Sequence, residues 1–160
     1  MTIEDVLLQQ CVLSDLKGTT RKEVIFELVN TLKEANLVQD AEKTVSVVLE
    51  REKLGSTGIG DGVAIPHGKL KGIKNILCAF GRSKGGVDFD AIDHNPVHII
   101  FLLIAPEDSA SLHLQMLSRI SKVLRDPSLR KSLVEADKGG NLYKKVVKGV
   151  ENIHRRSATA

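Results

Sequence analysis

Apolar residues follow two different rhythms along this chain, and the change between them divides it into predicted helices and predicted strands. Ile3 to Leu8 reads as a short helix and Cys11-Val12-Leu13 as a short strand. Val24, Ile25, Leu28, Val29 and Leu32 then recur at helical spacing and give one buried face. Thr20, with Glu23 three residues later, supplies a capping box for that helix. A second helix is predicted from a cap at Asp40 through Val45, Val48 and Leu49 to Lys53, with Gly55 ending it. From Gly62 the apolar segments shorten and turn residues separate them. Val63-Ala64-Ile65, Ile76 to Gly81, Val87 to Phe89 and Val97 to Ala105 read as strands. The last is apolar on both faces, which predicts a central strand covered on both sides. Helical spacing returns after Pro106 with Leu112, Met116, Leu117, Ile120, Val123 and Leu124. A short helix follows from Asp126-Pro127-Ser128 through Leu133 and Val134, and a final one from Asn141 to Val150.

Helices, then strands, then helices predict an α/β (α+β) fold with a mixed sheet and helices packed on its faces. At 160 residues the chain is about one domain, expected over 1–150, with 151–160 a frayed tail. Its 42% hydrophobic and 27% charged residues are globular values, which excludes wholesale disorder. The net charge of +3 is scattered among both signs, Trp is absent and there is one Tyr, so nothing calls for nucleic acid. Cys11 and Cys78 sit in apolar segments and read as buried thiols of a reduced, cytoplasmic protein. The amino terminus lacks the features of a signal peptide. The longest apolar run, Ile99 to Ala105, is far short of the roughly 20 residues that span a bilayer, so no membrane insertion is expected.

The stretch from Arg51 to Lys69 departs furthest from ordinary composition. Gly55, Gly58, Gly60 and Gly62 let the backbone turn tightly and approach a bound group, and they lead to Pro66 and His67. A nucleotide loop does not fit, because Asp61 occupies the place where a P-loop has its lysine, and the dinucleotide fingerprint fails at Val63. His67 stands behind a proline and beside Gly68, held on one side and open on the other. A largely neutral imidazole there keeps one ring nitrogen free to attack phosphorus. Arg51 is suited to the phosphoryl oxygens through its planar guanidinium, and Ser56, Thr57, Gly58 and Gly60 are expected to shape the pocket. His113, early in the helix after the Val97 strand, is either a ligand-site residue or a tucked-in histidine at the core edge. His94 and His98 are four apart with Pro96 between them, which argues against a metal pair, and His154 lies in the tail.

The segment Arg-Glu-x-Leu-Gly-Ser-Thr-Gly-Ile-Gly-x-Gly-Val-Ala-Ile-Pro-His-Gly-Lys resembles the active-site segment of the fructose/mannitol-type IIA domains of the bacterial phosphotransferase system. Phe89-Asp90-Ala91-Ile92-Asp93-x-x-Pro96-Val97 and His113-Leu114 extend the likeness over nearly the whole chain. The resemblance implies a mixed five-stranded sheet flanked by helices on both faces, and a phosphoryl group carried on His67. The donor it implies is a small histidine phosphocarrier protein charged from phosphoenolpyruvate. By the same resemblance Arg51 and His113 stabilise that group, and neither metal nor cofactor is needed. The Gly-Ser-Thr-Gly-Ile-Gly run looks more like the nitrogen-related regulatory branch, which acts on target proteins. The alternatives are a sugar-specific IIA passing the group to a IIB domain, and a docking module without phosphotransfer.

Overall fold

The structure, a computed structural model, describes residues 2–136 and 140–159, the side chains at 140, 141 and 153–159 excepted. Helix α1 (Ile3–Val6) runs directly into β1 (Leu7–Leu13). Helix α2 (Arg21–Glu34) opens on the predicted capping box: Thr20 Oγ1 accepts from the Glu23 N–H at 3.3 Å, and the Glu23 carboxylate accepts from the Thr20 N–H at 3.2 Å. Helix α3 (Ala41–Lys53) is capped by Asp40, whose carboxylate accepts from the Lys43 N–H. Three short strands follow, β2 (Gly58–Gly60), β3 (Val63–Ala64) and β4 (His67–Leu70). Then come two long ones, β5 (Leu77–Val87) and β6 (Val97–Pro106). Helices α4 (Ala110–Val123), α5 (Pro127–Glu135) and α6 (Gly140–Thr159) complete the chain, with Asp126 capping α5.

The sheet is open and mixed, in the order β1-β5-β6-β3-β2, with β4 also paired to β6. Strand β5 runs parallel to β1 and antiparallel to β6. Both β3 and β4 run parallel to β6, opposite Ile99–Ile100 and Leu103–Pro106 respectively, so they lie end to end along one edge of it. Six strands therefore fill five ranks, in keeping with the expected five-stranded sheet. Ile99 through Ala105 are at most 1% exposed at successive positions, so both faces of β6 are covered, as its unbroken apolar run requires. Among the described residues no helix is long and apolar enough to cross a membrane.

Several boundaries differ from the sequence reading. Strand β5 does not stop at Gly81 but continues to Val87, through a register shift between Arg82 and Val87 that accommodates Lys84-Gly85-Gly86. Arg82 is fully buried inside it because its guanidinium donates to the carbonyls of Ser14, Leu133 and Ala136. Helix α6 continues past Val150 to Thr159, where a tail was expected. No proline or glycine interrupts it after Gly149, and Glu151 is tied in by the Ile3 N–H and by Arg119 at 3.0 Å. The His154 side chain lies outside the described residues. Cys11 and Cys78 are buried free thiols, and burial pushes the Cys78 thiol far up from its ordinary value.

Candidate functional site

Pro66 has no N–H, so it breaks the rank beside β6 into β3 and β4, but its carbonyl still accepts from the Leu103 N–H at 3.0 Å and keeps the register. His67 is thereby fixed opposite Leu103, in the carboxyl half of β6. Gly68 faces α3 so closely that a Cβ there would lie 2.7 Å from Val47 Cγ1. Strand alternation then turns His67 and Lys69 the other way, toward α4. The ring of His67 meets that of His113 edge to face, with centroids 5.4 Å apart at 78°. Around the outer edge of β4, between α3 and α4, opens a cleft of about 700 Å³ lined by Arg51, Leu54, His67, Lys69, His113 and Leu114 among others. The two histidines and the arginine of the sequence reading therefore share one cleft.

His67 Nδ1 lies 2.8 Å from the carbonyl oxygen of Ile65. A carbonyl can only accept, so Nδ1 carries the proton and the lone pair is on Nε2. Burial holds the His67 pKa below its ordinary 6.5. The hydrogen bond to Ile65 opposes that shift, Arg51 adds to it, and Glu52 works against it. The ring is thus neutral and nucleophilic at neutral pH. His113 is buried, and burial first, then the fields of His67 and Lys69, lower its pKa to about 4. Its Nε2 has no hydrogen-bond partner among the described residues. Arg51, in the last turn of α3, donates through Nη1 to the Gly55 carbonyl at 2.9 Å, which steadies the guanidinium at the mouth of the cleft.

The glycine loop packs behind the cleft rather than along its lining. Ser56, Thr57, Gly58 and Gly60 do not line the cleft. Ser56 Oγ donates to the Phe89 carbonyl at 2.6 Å and accepts from the Gly58 N–H at 3.0 Å. Thr57 is bonded through both its N–H and its hydroxyl to the Glu52 carboxylate. A Cβ on Gly58 would come within 2.9 Å of Ala91 Cβ, so glycine there permits close approach to the segment after β5. The Gly58 carbonyl accepts from the Ile92 N–H, and the Asp61 N–H donates to Asp93. The two motif stretches, around 58 and around 91, are thus fastened together behind the site. His98 Nδ1 contacts the Ser83 carbonyl and His94 occupies a turn at φ 61°.

Sequence reasoning gave no site role of their own to Lys69, Glu52, Leu54 and Leu114, though all four lie in the motif stretches. Lys69 shares a face with His67 only if β4 is a strand, and His-Gly-Lys-Leu carries no strand signature. Leu54 and Leu114 are 85% and 68% exposed on either side of the cleft.

Comparison with known proteins agrees with this fold. The family described as "Phosphoenolpyruvate-dependent sugar phosphotransferase system, EIIA 2" matches residues 5–148. A nitrogen regulatory protein of Bradyrhizobium diazoefficiens is 42% identical over 134 residues, 83% of this chain and 86% of that one. The fructose-specific EIIABC component of the phosphotransferase system of Bacillus subtilis is 38% identical over 137 residues, 86% of this chain but only 22% of that much longer protein. The crystal structure of nitrogen regulatory protein IIA-Ntr from Neisseria meningitidis superposes with a TM-score of 0.83 at 34% identity, covering 92% of this chain and 98% of that one.

Proposed function

Since the chain belongs to the EIIA 2 family of the phosphoenolpyruvate-dependent sugar phosphotransferase system and is a phosphorelay IIA component, we propose that His67 Nε2 is the atom that takes the phosphoryl group. The observation that carries this reading is the Nδ1 bond to the Ile65 carbonyl, which leaves the Nε2 lone pair in a cleft shared with Arg51 and His113. Nε2 attacks the phosphorus of a phosphohistidine on the donor. The new N–P bond forms as the old one breaks, and the donor imidazole leaves with its electron pair. The product carries roughly −1.5 to −2 charge. Arg51 meets its oxygens, and His113, kept neutral by burial, donates from Nε2–H in that tautomer. Transfer rests on alignment and charge stabilisation rather than on new covalent chemistry, which makes the protein a phosphotransferase component.

The donor is a small histidine phosphocarrier protein of the cytoplasm, and exposed Leu54 and Leu114 supply the apolar contact that brings it to the cleft. The regulatory role is favoured, because the relatives that match over most of their own length include nitrogen regulatory proteins. Onward transfer to a IIB domain is the second reading, supported by the fructose-specific relatives. Intact mass after incubation with phosphoenolpyruvate and the general phosphorelay proteins tests the site. The expected result is one acid-labile phosphoryl group, absent in His67→Ala. Uptake by that variant would sink the assignment, and transfer onward to an added IIB domain would favour the sugar reading.

A further inference from the structure

Glu52 has no part in the chemistry above, yet it is the most deeply buried acidic side chain near the cleft, 2% exposed. A carboxylate so enclosed is tolerated only with partners. Its partners come from two other segments. Oε2 pairs with Arg21 Nη1 of α2 at 3.3 Å and accepts from the Thr57 N–H at 3.2 Å, and Oε1 accepts from the Thr57 hydroxyl. Thr57 is fixed at three points, because its carbonyl accepts from the Ile65 N–H at 3.0 Å. The Ile65 carbonyl, on the other side of the same residue, accepts from His67 Nδ1–H at 2.8 Å. An unbroken line of hydrogen bonds therefore runs from the Glu52 carboxylate through Thr57 and Ile65 to the His67 ring.

We infer that Glu52 is a positioning residue for His67, setting through Thr57 and Ile65 the orientation and the Nδ1–H tautomer that expose Nε2 in the cleft. Arg21 anchors Glu52 from α2, so the line starts from a fixed point rather than a free side chain. On the same last turn Arg51 holds the Gly55 carbonyl while Glu52 holds Thr57, so the loop is clamped by consecutive residues of α3. A small tilt of the Ile65 peptide would remove the acceptor that selects the tautomer. A ring with its proton on Nε2 has no lone pair to offer there.

The transfer-rate arm of the test rests on His67 being the phosphoryl acceptor; the tautomer arm does not. Nitrogen-15 spectra of the imidazoles in the unphosphorylated full chain should show His67 in the Nδ1–H form. Glu52→Ala should mix the tautomers and slow transfer from the phosphocarrier by about ten- to a hundredfold. Glu52→Gln keeps an oxygen for the Thr57 N–H and should retain the Nδ1–H form and most of the rate. If Glu52→Ala does not fold, Glu52→Asp, one methylene too short to reach Thr57, takes its place with the same expected result. A folded Glu52→Ala or Glu52→Asp with the wild-type tautomer overturns the inference. So does a Glu52→Gln variant as scrambled as Glu52→Ala, since charge rather than hydrogen bonding would then be at work. If no variant and no wild type takes up phosphate, the proposed function fails while the spectra still decide this point.

Discussion

Strand β6 and the broken rank of β3 and β4 lie side by side and are built on opposite terms. In β6 seven successive residues from Ile99 are apolar and enclosed, held by β5 on one edge and by packing on both faces. Its neighbour is two short pieces separated by Pro66, flanked by positive-φ glycines at 60 and 62 and carrying His67 and Lys69. The difference shows where the precision of the site comes from. β4 contributes almost no buried apolar surface beyond Leu70, so its backbone is placed by its register against β6, from His67 opposite Leu103 to Leu70 opposite Pro106. The rigid strand lends no side chain to the cleft lining, and the strand that carries His67 borrows its rigidity.

The widest separation between the two should appear when each is struck once. Phe101 packs edge to face on Phe80 with centroids 5.3 Å apart. Phe101→Ala should cost about 3–5 kcal/mol in denaturant unfolding while leaving the phosphorylated fraction of the folded molecules unchanged. His67→Gln should do the reverse, losing transfer altogether with stability within about 1 kcal/mol of wild type. Comparable destabilisation by both would mean that β4 belongs to the core after all.

The same contrast accounts for what could be read from the sequence. Val97 to Ala105 was legible as a central strand because its apolar run has one physical explanation, burial on both faces. The capping residues Thr20, Asp40 and Asp126 were legible because their contacts are local. β4 was not, since His-Gly-Lys-Leu is a strand only by virtue of a partner over thirty positions away. The meeting of Arg51, His67 and His113 was inferred from a family resemblance and needed the register to give it distances. The partners of Ser56 and Thr57 were not legible either, because their hydroxyls are held by the Phe89 carbonyl and the Glu52 carboxylate, contacts that no local pattern announces.

Titration should also separate the regions, since the enclosed run of β6 from Ile99 to Ala105 carries no ionisable side chain. His113 binds its proton at about 4 in the folded protein and at the ordinary 6.5 in the unfolded chain. Between those values the unfolded state holds more protons, so stability rises with pH and is lost as pH falls from about 6.5 toward 4. The full difference is on the order of 3 kcal/mol. Unfolding midpoints from pH 8 to pH 4 should flatten in His113→Leu, and an unchanged slope would remove His113 as the cause.

Gly68 is where β4, on the edge away from β6, presses on α3. A methyl group there meets Val47 Cγ1 at 2.7 Å, so Gly68→Ala should force β4 and α3 apart at a cost of about 1–3 kcal/mol and carry His67 away from Arg51. Adding Val47→Ala should restore most of both stability and transfer. Two effects that simply add would show that the strand can shift without the helix, against the coupling the contact implies.

The smallest effect is expected at Lys69, whose ammonium is exposed on the His67 face and has no carboxylate partner among the described residues. Its field already reaches His113, where it lowers the pKa, so it should also reach a phosphoryl group on the adjoining ring. Lys69→Gln should slow phosphoryl transfer by a few fold at low salt, with stability unchanged, because an exposed charge is worth about 1 kcal/mol or less. Lys84, equally exposed on β5 and remote from the cleft lining, is the matched control and should show no change as Lys84→Gln. Screening supplies the sharper criterion. At 1 M salt the Debye length contracts to about 3 Å, so the Lys69→Gln deficit should close if the lysine acts through its field. A deficit that persists there would mean that the ammonium makes a direct contact with the phosphoryl oxygens.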